Sequence, residues 1–177
     1  NEFADLYPTD ATNKKHVSDV TIDTDFELLF PDDYINSVTE RLALYSKLND
    51  VEDDAGLEKF KKELVDRFGE LPDPAEDLLT SIKIKWIASR MGLEKIVMKQ
   101  GQFVGYFIAD QTSKFYQSDT FNFLIQSISQ RSSKMNMKEK QTRSGLRLLL
   151  KMDKISSVDK AFQIMDEVMP VTSLEVS

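Results

Sequence analysis

At 177 residues, with 41% hydrophobic and 30% charged side chains, the chain has room for one core and the composition of a folded domain. It has no cysteine, which excludes disulfides and thiolate metal sites and suits a reducing compartment. A net charge of −7 argues against this chain gripping nucleic acid by itself, and no apolar run approaches the roughly 18 residues of a membrane span; the expected address is the cytoplasm, with no membrane partner.

Residues 1–16, NEFADLYPTDATNKKH, mix polar residues with Pro8 and show no sustained period. They read as a linker, with His16 a solvated histidine in or beside it. From Val17 to Phe30 one parity holds Val20, Ile22, Phe26, Leu28 and Phe30, and the other holds Asp19, Asp23, Asp25 and Glu27. That is a half-buried extended segment. A helix is then expected, capped by Asp32 or Asp33 after Pro31, with Tyr34, Ile35, Val38, Leu42, Tyr45 and Leu48 as its apolar stripe. A second runs from about Ala55 to Phe68, capped by Asp53 or Asp54 and stopped by Gly69, with Leu57, Phe60, Leu64 and Phe68 turned inward. A third takes Asp73 as cap and Pro74 at its first position, and passes Leu78, Leu79, Ile82 and Trp86 to end at Met91 and Gly92.

The period then falls toward two. LEKIVMK and FVGYFIA, either side of Gln100-Gly101, form an expected hairpin. Ser118 or Asp119 caps a short helix carrying Phe121, Leu124, Ile125 and Ile128. A short strand near Lys134–Lys138 and a better one across Leu146, Leu148 and Leu150 follow, and Ser157 caps a last helix that buries Val158, Ala161, Phe162, Met165 and Val168 before Pro170. The expected fold is α+β: an N-terminal extended segment and three-helix array, then a small β-sheet with two further helices, one compact domain over residues 17–169 and a frayed tail over 170–177. The chain opens on Asn rather than Met, which fits a fragment or a processed product.

The chemistry absent from the pattern narrows the function. His16 is the only histidine, so no histidine-activated nucleophile and no zinc site of the usual type is available. The six glycines build neither a P-loop nor a GxGxxG turn. Catalytic, metal and cofactor-binding residues are therefore expected to be absent. Asp32, Asp33 and Asp73 are explained as helix caps, and Asp50, Glu52, Asp53 and Asp54 as a solvated loop without calcium-loop spacing.

Glu63, Asp66 and Arg67 stand out. With Leu57, Phe60, Leu64 and Phe68 inward, Asp66 lies on the outer face of its helix and Glu63 at its shoulder. Lys59 and Lys62, four residues earlier, offer intrahelical ion pairs; the other reading is a carboxylate pair presented to an arginine-bearing partner. Pattern alone does not choose between them.

A basic stretch holds Arg131, Lys134, Lys138, Lys140, Arg143, Arg147, Lys151 and Lys154. It supports an alternative reading as an accessory nucleic-acid-binding domain using residues 131–154. The aromatic residues of FVGYFIA and DTFNFLI could stack on bases, although their spacing fits core faces better. A third reading, a carboxylate-dependent metal hydrolase, would need a divalent ion at Asp50–Asp54 or at Glu63 and Asp66.

FPDDYINSVTERLALYSKL followed by KKELVDRFGELPDPAEDLL resembles the C-terminal (TRCF) domain of bacterial transcription-repair coupling factors. The resemblance combines P-D-D-Y-I, E-R-L-x-x-Y, L-x-D-R-F-G and L-P-D-P-A, continues through Gly92-Leu93 into the hairpin, and extends over residues 17–169. It implies a parent that is an ATP-driven DNA translocase, displacing stalled RNA polymerase and recruiting UvrA for nucleotide excision repair. ATP would then be bound by the parent's motor, and residues 1–16 would connect from it. The domain itself would be non-catalytic, packing on the parent's UvrB-like N-terminal region and covering the surface UvrA binds. Glu63 and Asp66 fall on the family's acidic contact positions in ELVDRFG, with Arg67 adjacent. Residues 50–54 and 127–133 depart from the family pattern.

Overall fold

The alternation after Val17 does what its period implies: Ile22, Thr24, Phe26, Leu28 and Phe30 turn inward and the odd positions between them stay exposed. The computed structural model describes residues 14–171, so the expected linker and tail lie almost wholly outside the described residues. Within this segment only β1 (Thr21–Thr24) pairs, running parallel to β2 (Leu93–Lys99). Between them come helices α1 (Val38–Asn49), α2 (Asp54–Phe68) and α3 (Asp73–Met91). Then follow β3 (Gln102–Phe107), a 3-10 turn (Lys114–Gln117), α4 (Asp119–Ser129), β4 (Met135–Thr142), β5 (Gly145–Met152) and α5 (Val158–Val168). The sheet order is β1-β2-β3-β5-β4, antiparallel except at β1. This is the expected α+β architecture.

One face of the sheet carries the core. Leu93, Ile96, Phe103, Phe107 and Leu150 have no exposed area and join one apolar cluster with the inward faces of α3, α4 and α5. The central helix α3 is buried along most of its length, including Arg90, whose guanidinium donates to the Met169 carbonyl at 2.9 Å and ties α3 to the end of α5. Burial pushes the Arg90 pKa down to about 10, with Asp166 pulling the other way.

Of the caps the sequence offers, Asp53 rather than Asp54 accepts from Gly56 N–H at 2.7 Å, Ser118 rather than Asp119 from Phe121, and Ser157, as expected, from Lys160. Others do not. The segment after Pro31 is a turn, with the Tyr34 and Ile35 amides both donating to the Pro31 carbonyl, so neither Asp32 nor Asp33 caps a helix. Ser37 does, accepting from the Glu40 amide at 3.2 Å; Ser37 and Glu40 have the S-x-x-E spacing of a capping box. In α3, Pro72 holds the cap position without a side-chain bond and Asp73 is the first helical residue, where its charge faces the positive helix end. Ser37→Ala should therefore cost about 1 kcal/mol in urea unfolding, whereas Asp33→Ala should stay within about 0.5 kcal/mol of the parent.

The later start rotates the helix stripe. Leu44 and Leu48 are buried, but Val38 and Leu42, expected inside, are 61% and 64% exposed. Ile125 in α4 and Leu146 in β5 also face solvent, and Phe123 takes the inward position on α4.

His16 is not a solvated tether histidine. Its ring is half-buried, lies edge-on to Phe115 with centroids 5.0 Å apart, and its Nε2 is 3.3 Å from the Thr120 hydroxyl. Burial first, and Lys14 second, hold its pKa below the ordinary 6.5. A depressed value means the fold favours the neutral ring. Its stabilisation is complete above pH 6.5 and is lost as pH falls through the lower, folded-state value. An NMR titration of this single imidazole should give a midpoint below 6.5; a midpoint at or above it would contradict the packing against Phe115 and Thr120.

Candidate docking surface

The helices α1 and α2 form an antiparallel pair joined by residues 50–53, and polar bonds fix their geometry. The Tyr34 hydroxyl donates to the Gly69 carbonyl at 2.8 Å, pinning the turn before α1 to the end of α2. The Phe30 amide donates to the Tyr45 hydroxyl at 2.8 Å, and Arg41 donates to the carbonyls of Ile35 and Asn36. Apolar Leu57, Phe60 and Leu64 then turn α2 inward, which leaves Glu63, Asp66 and Arg67 along its outer side.

The three residues have different surroundings. The Glu63 carboxylate accepts from Lys47 Nζ of α1 at 2.6 Å, while Arg67 pairs with Glu40 of α1 and lies 4.8 Å from the Phe68 ring centroid. Neither intrahelical pair offered by the sequence is made: Glu63 takes a partner from another helix, and Asp66 is exposed with no ion-pair partner among the described residues. Asp66 also sits in the last turn of α2, where the helix presents unpaired carbonyls and a partial negative charge. A carboxylate there is locally unfavourable by roughly 0.3–1 kcal/mol, and a cation brought to it gains from both the side chain and the helix end. Sequence reasoning missed Lys47 and Glu40, the α1 residues that hold Glu63 and Arg67. It also missed the exposed apolar pair Val38 and Leu42 on α1.

The remaining candidates fall elsewhere. Asp50, Glu52 and Asp53 lie exposed in the α1–α2 loop, Asp54 is 3.2 Å from Lys83, and no group of His, Asp or Glu among the described residues is arranged to hold a metal ion. A cleft of about 420 Å³ between β1, α1 and α3 is lined by Ile22, Tyr45, Leu48, Ser81 and Lys85; Asp23, at its margin on β1, is 3.1 Å from Lys99. The basic stretch is divided by the fold. Arg131 and Lys134 meet Glu167 of α5, Arg147 pairs with Glu94 at 2.7 Å, and Lys138, Lys140 and Lys151 project from the sheet face opposite the helices. No described helix is long and apolar enough to cross a membrane.

These features define an α+β module with a charged helical face and no recognisable catalytic constellation among its described residues. The TRCF domain family model matches residues 24–118, more than half of the chain, and the chain belongs to that family. A transcription-repair-coupling factor of Rickettsia bellii is 34% identical over 110 residues, covering 59% of this chain and 10% of the relative. That of Escherichia coli is 41% identical over 68 residues, covering 38% of this chain and 6% of the relative. The chain thus spans about a tenth or less of the length of these relatives. The fold also matches the crystal structure of a C-terminal domain of transcription-repair coupling factor, with a TM-score of 0.65 at 17% identity, covering 91% of this chain and 96% of that one.

Proposed function

We propose that this domain is a non-catalytic docking module of a transcription-repair coupling factor, binding the UvrB-like N-terminal region of its own parent chain and masking the surface that UvrA recognises. The parent in this reading is an ATP-driven DNA translocase that displaces stalled RNA polymerase and works in the cytoplasm. The observation that carries it is Asp66: an exposed carboxylate with no ion-pair partner among the described residues, in a turn where it does not stabilise its own helix, beside Glu63. Arginines of a partner are the complement such a site favours, because a guanidinium meets a carboxylate bidentately and caps the helix carbonyls as well.

The clamp is reversible by construction. A domain tethered to its partner experiences an effective concentration in the millimolar range, so modest affinity keeps the surface covered, and loss of one or two charged contacts of about 1–3 kcal/mol opens it. Glu63 contributes after exchanging Lys47 for a partner arginine, and Arg67, held by Glu40, shapes the rim. UvrA retention by the full-length parent tests masking: the parent carrying Asp66→Lys should retain UvrA several-fold better than the unmodified parent, and equal retention would dispose of the masking role.

A further inference from the structure

The sheet has a second face. Val97, Val104, Tyr106 and Leu149 alternate with the core residues along β2, β3 and β5 and stand outside the core cluster, although Leu149 is only 4% exposed. Around them the register places Lys95 beside Tyr106, Lys138 beside Leu149, Lys140 beside Arg147, and Asn136 beside Lys151. The helices lie on the opposite side, and Thr21, Asp23, Lys95, Lys99, Asn136, Lys138 and Lys140 along this face are exposed.

Its acids are already engaged. Asp23 lies 3.1 Å from Lys99, and Glu94 accepts from Arg147 at 2.7 Å and from the Ala109 amide. Lys95, Lys138, Lys140 and Lys151 have no ion-pair partner among the described residues. At their centre the Tyr106 ring is flanked by Lys95 Nζ at 5.9 Å and the Arg147 guanidinium at 5.4 Å from its centroid. A chain of net charge −7 thus collects unneutralised cations and one aromatic ring on a single flat surface.

We propose that this open face binds single-stranded nucleic acid, with Lys95, Lys138, Lys140 and Lys151 taking phosphates and Tyr106 offering its ring to a base. The open face of a multi-stranded sheet accommodates splayed bases, and stacking on one ring contributes about 1–3 kcal/mol without base specificity. A peptide is the poorer complement. Extended peptides join a sheet at an edge, where backbone N–H and C=O groups are free, whereas this face offers side chains alone. The acids of α1 and α2 lie across the helical layer, and physiological salt screens charges beyond about 8 Å, so they do not cancel the local attraction. Because the face opposes the helices, the site goes beyond the docking reading and is independent of Asp66.

The test is fluorescence anisotropy of a labelled oligothymidylate with the 177-residue chain, at low and physiological salt. Binding that weakens with salt, falls at least tenfold in the Lys138→Gln, Lys140→Gln, Lys151→Gln triple variant, and falls about five- to a hundredfold in Tyr106→Leu is expected. Circular dichroism and the melting temperature, expected unchanged, check that both variants keep the fold. No binding at low salt overturns the proposal, as does binding unchanged by the lysine substitutions. Displacement by polyglutamate at equal charge, with Tyr106→Leu unaltered, would instead assign the face to an acidic protein segment and overturn the nucleic-acid reading.

Discussion

Replacing Asp66 with lysine is expected to weaken docking on the UvrB-like region by about five- to a hundredfold or more while leaving the domain as stable as the parent. Binding loses a carboxylate and gains a like charge facing the partner's arginines, so a cost of about 1–3 kcal/mol, and more where the new repulsion is close, is the expected scale. Folding loses nothing, because Asp66 makes no ion pair among the described residues and a lysine in the last turn of α2 suits the negative helix end better. The melting temperature should stay within about 2 °C of the parent. Glu63→Lys behaves differently. It removes the 2.6 Å contact with Lys47 and sets two ammonium groups against each other, so it should lower stability by up to about 1 kcal/mol as well as weaken docking. Calorimetry and thermal unfolding of the two variants separate these effects. An Asp66→Lys domain that unfolds, or that binds as well as the parent, would remove Asp66 from the contact.

The largest stability effect is expected at Gly92. It ends α3 in the left-handed region with φ at +79°, and a Cβ there would stand 2.4 Å from the Phe115 ring. That ring cannot retreat: His16, Phe107, Tyr116 and Phe121 surround it with centroids 5.0–6.2 Å away. Gly92→Ala combines a left-handed backbone cost of about 1–2 kcal/mol with overpacking of about 1–3 kcal/mol, lowering the melting temperature by roughly 5–15 °C. Gly69→Ala should show a backbone cost without overpacking: at φ +89° and ψ −171° the residue holds a conformation open essentially to glycine alone, and nothing lies within 4 Å of an added Cβ. A loss at Gly92→Ala no larger than the left-handed backbone cost of about 1–2 kcal/mol in urea unfolding would show that the Phe115 ring yields.

The sequence was most legible where a helix carries its own punctuation. Asp53 with Gly69, Ser118 and Ser157 set their helix ends through contacts three or four residues away, and those ends were read correctly. The start of α1 was misread because Tyr34 and Ile35 extended the apolar period backward into a turn. That phase error carried Val38 and Leu42 into the expected core, although the Ser37-x-x-Glu40 spacing marked the true start. The site was legible only in part. Helical geometry placed Asp66 outward, but Lys47 lies 16 residues from Glu63 and meets it only after two helices have packed. Likewise, parity set Tyr106 against Phe103 and Phe107, yet which sheet face the helices would cover depends on long-range topology that alternation does not encode.

Docking itself is tested most directly by titrating the separately expressed UvrB-like region of the parent with this chain, at low and physiological salt, up to about 1 mM, the range a short tether imposes. Saturable binding that weakens as salt rises and is lost with Asp66→Lys is the expected result. Absence of binding across that range, or binding indifferent to both salt and Asp66, would contradict it.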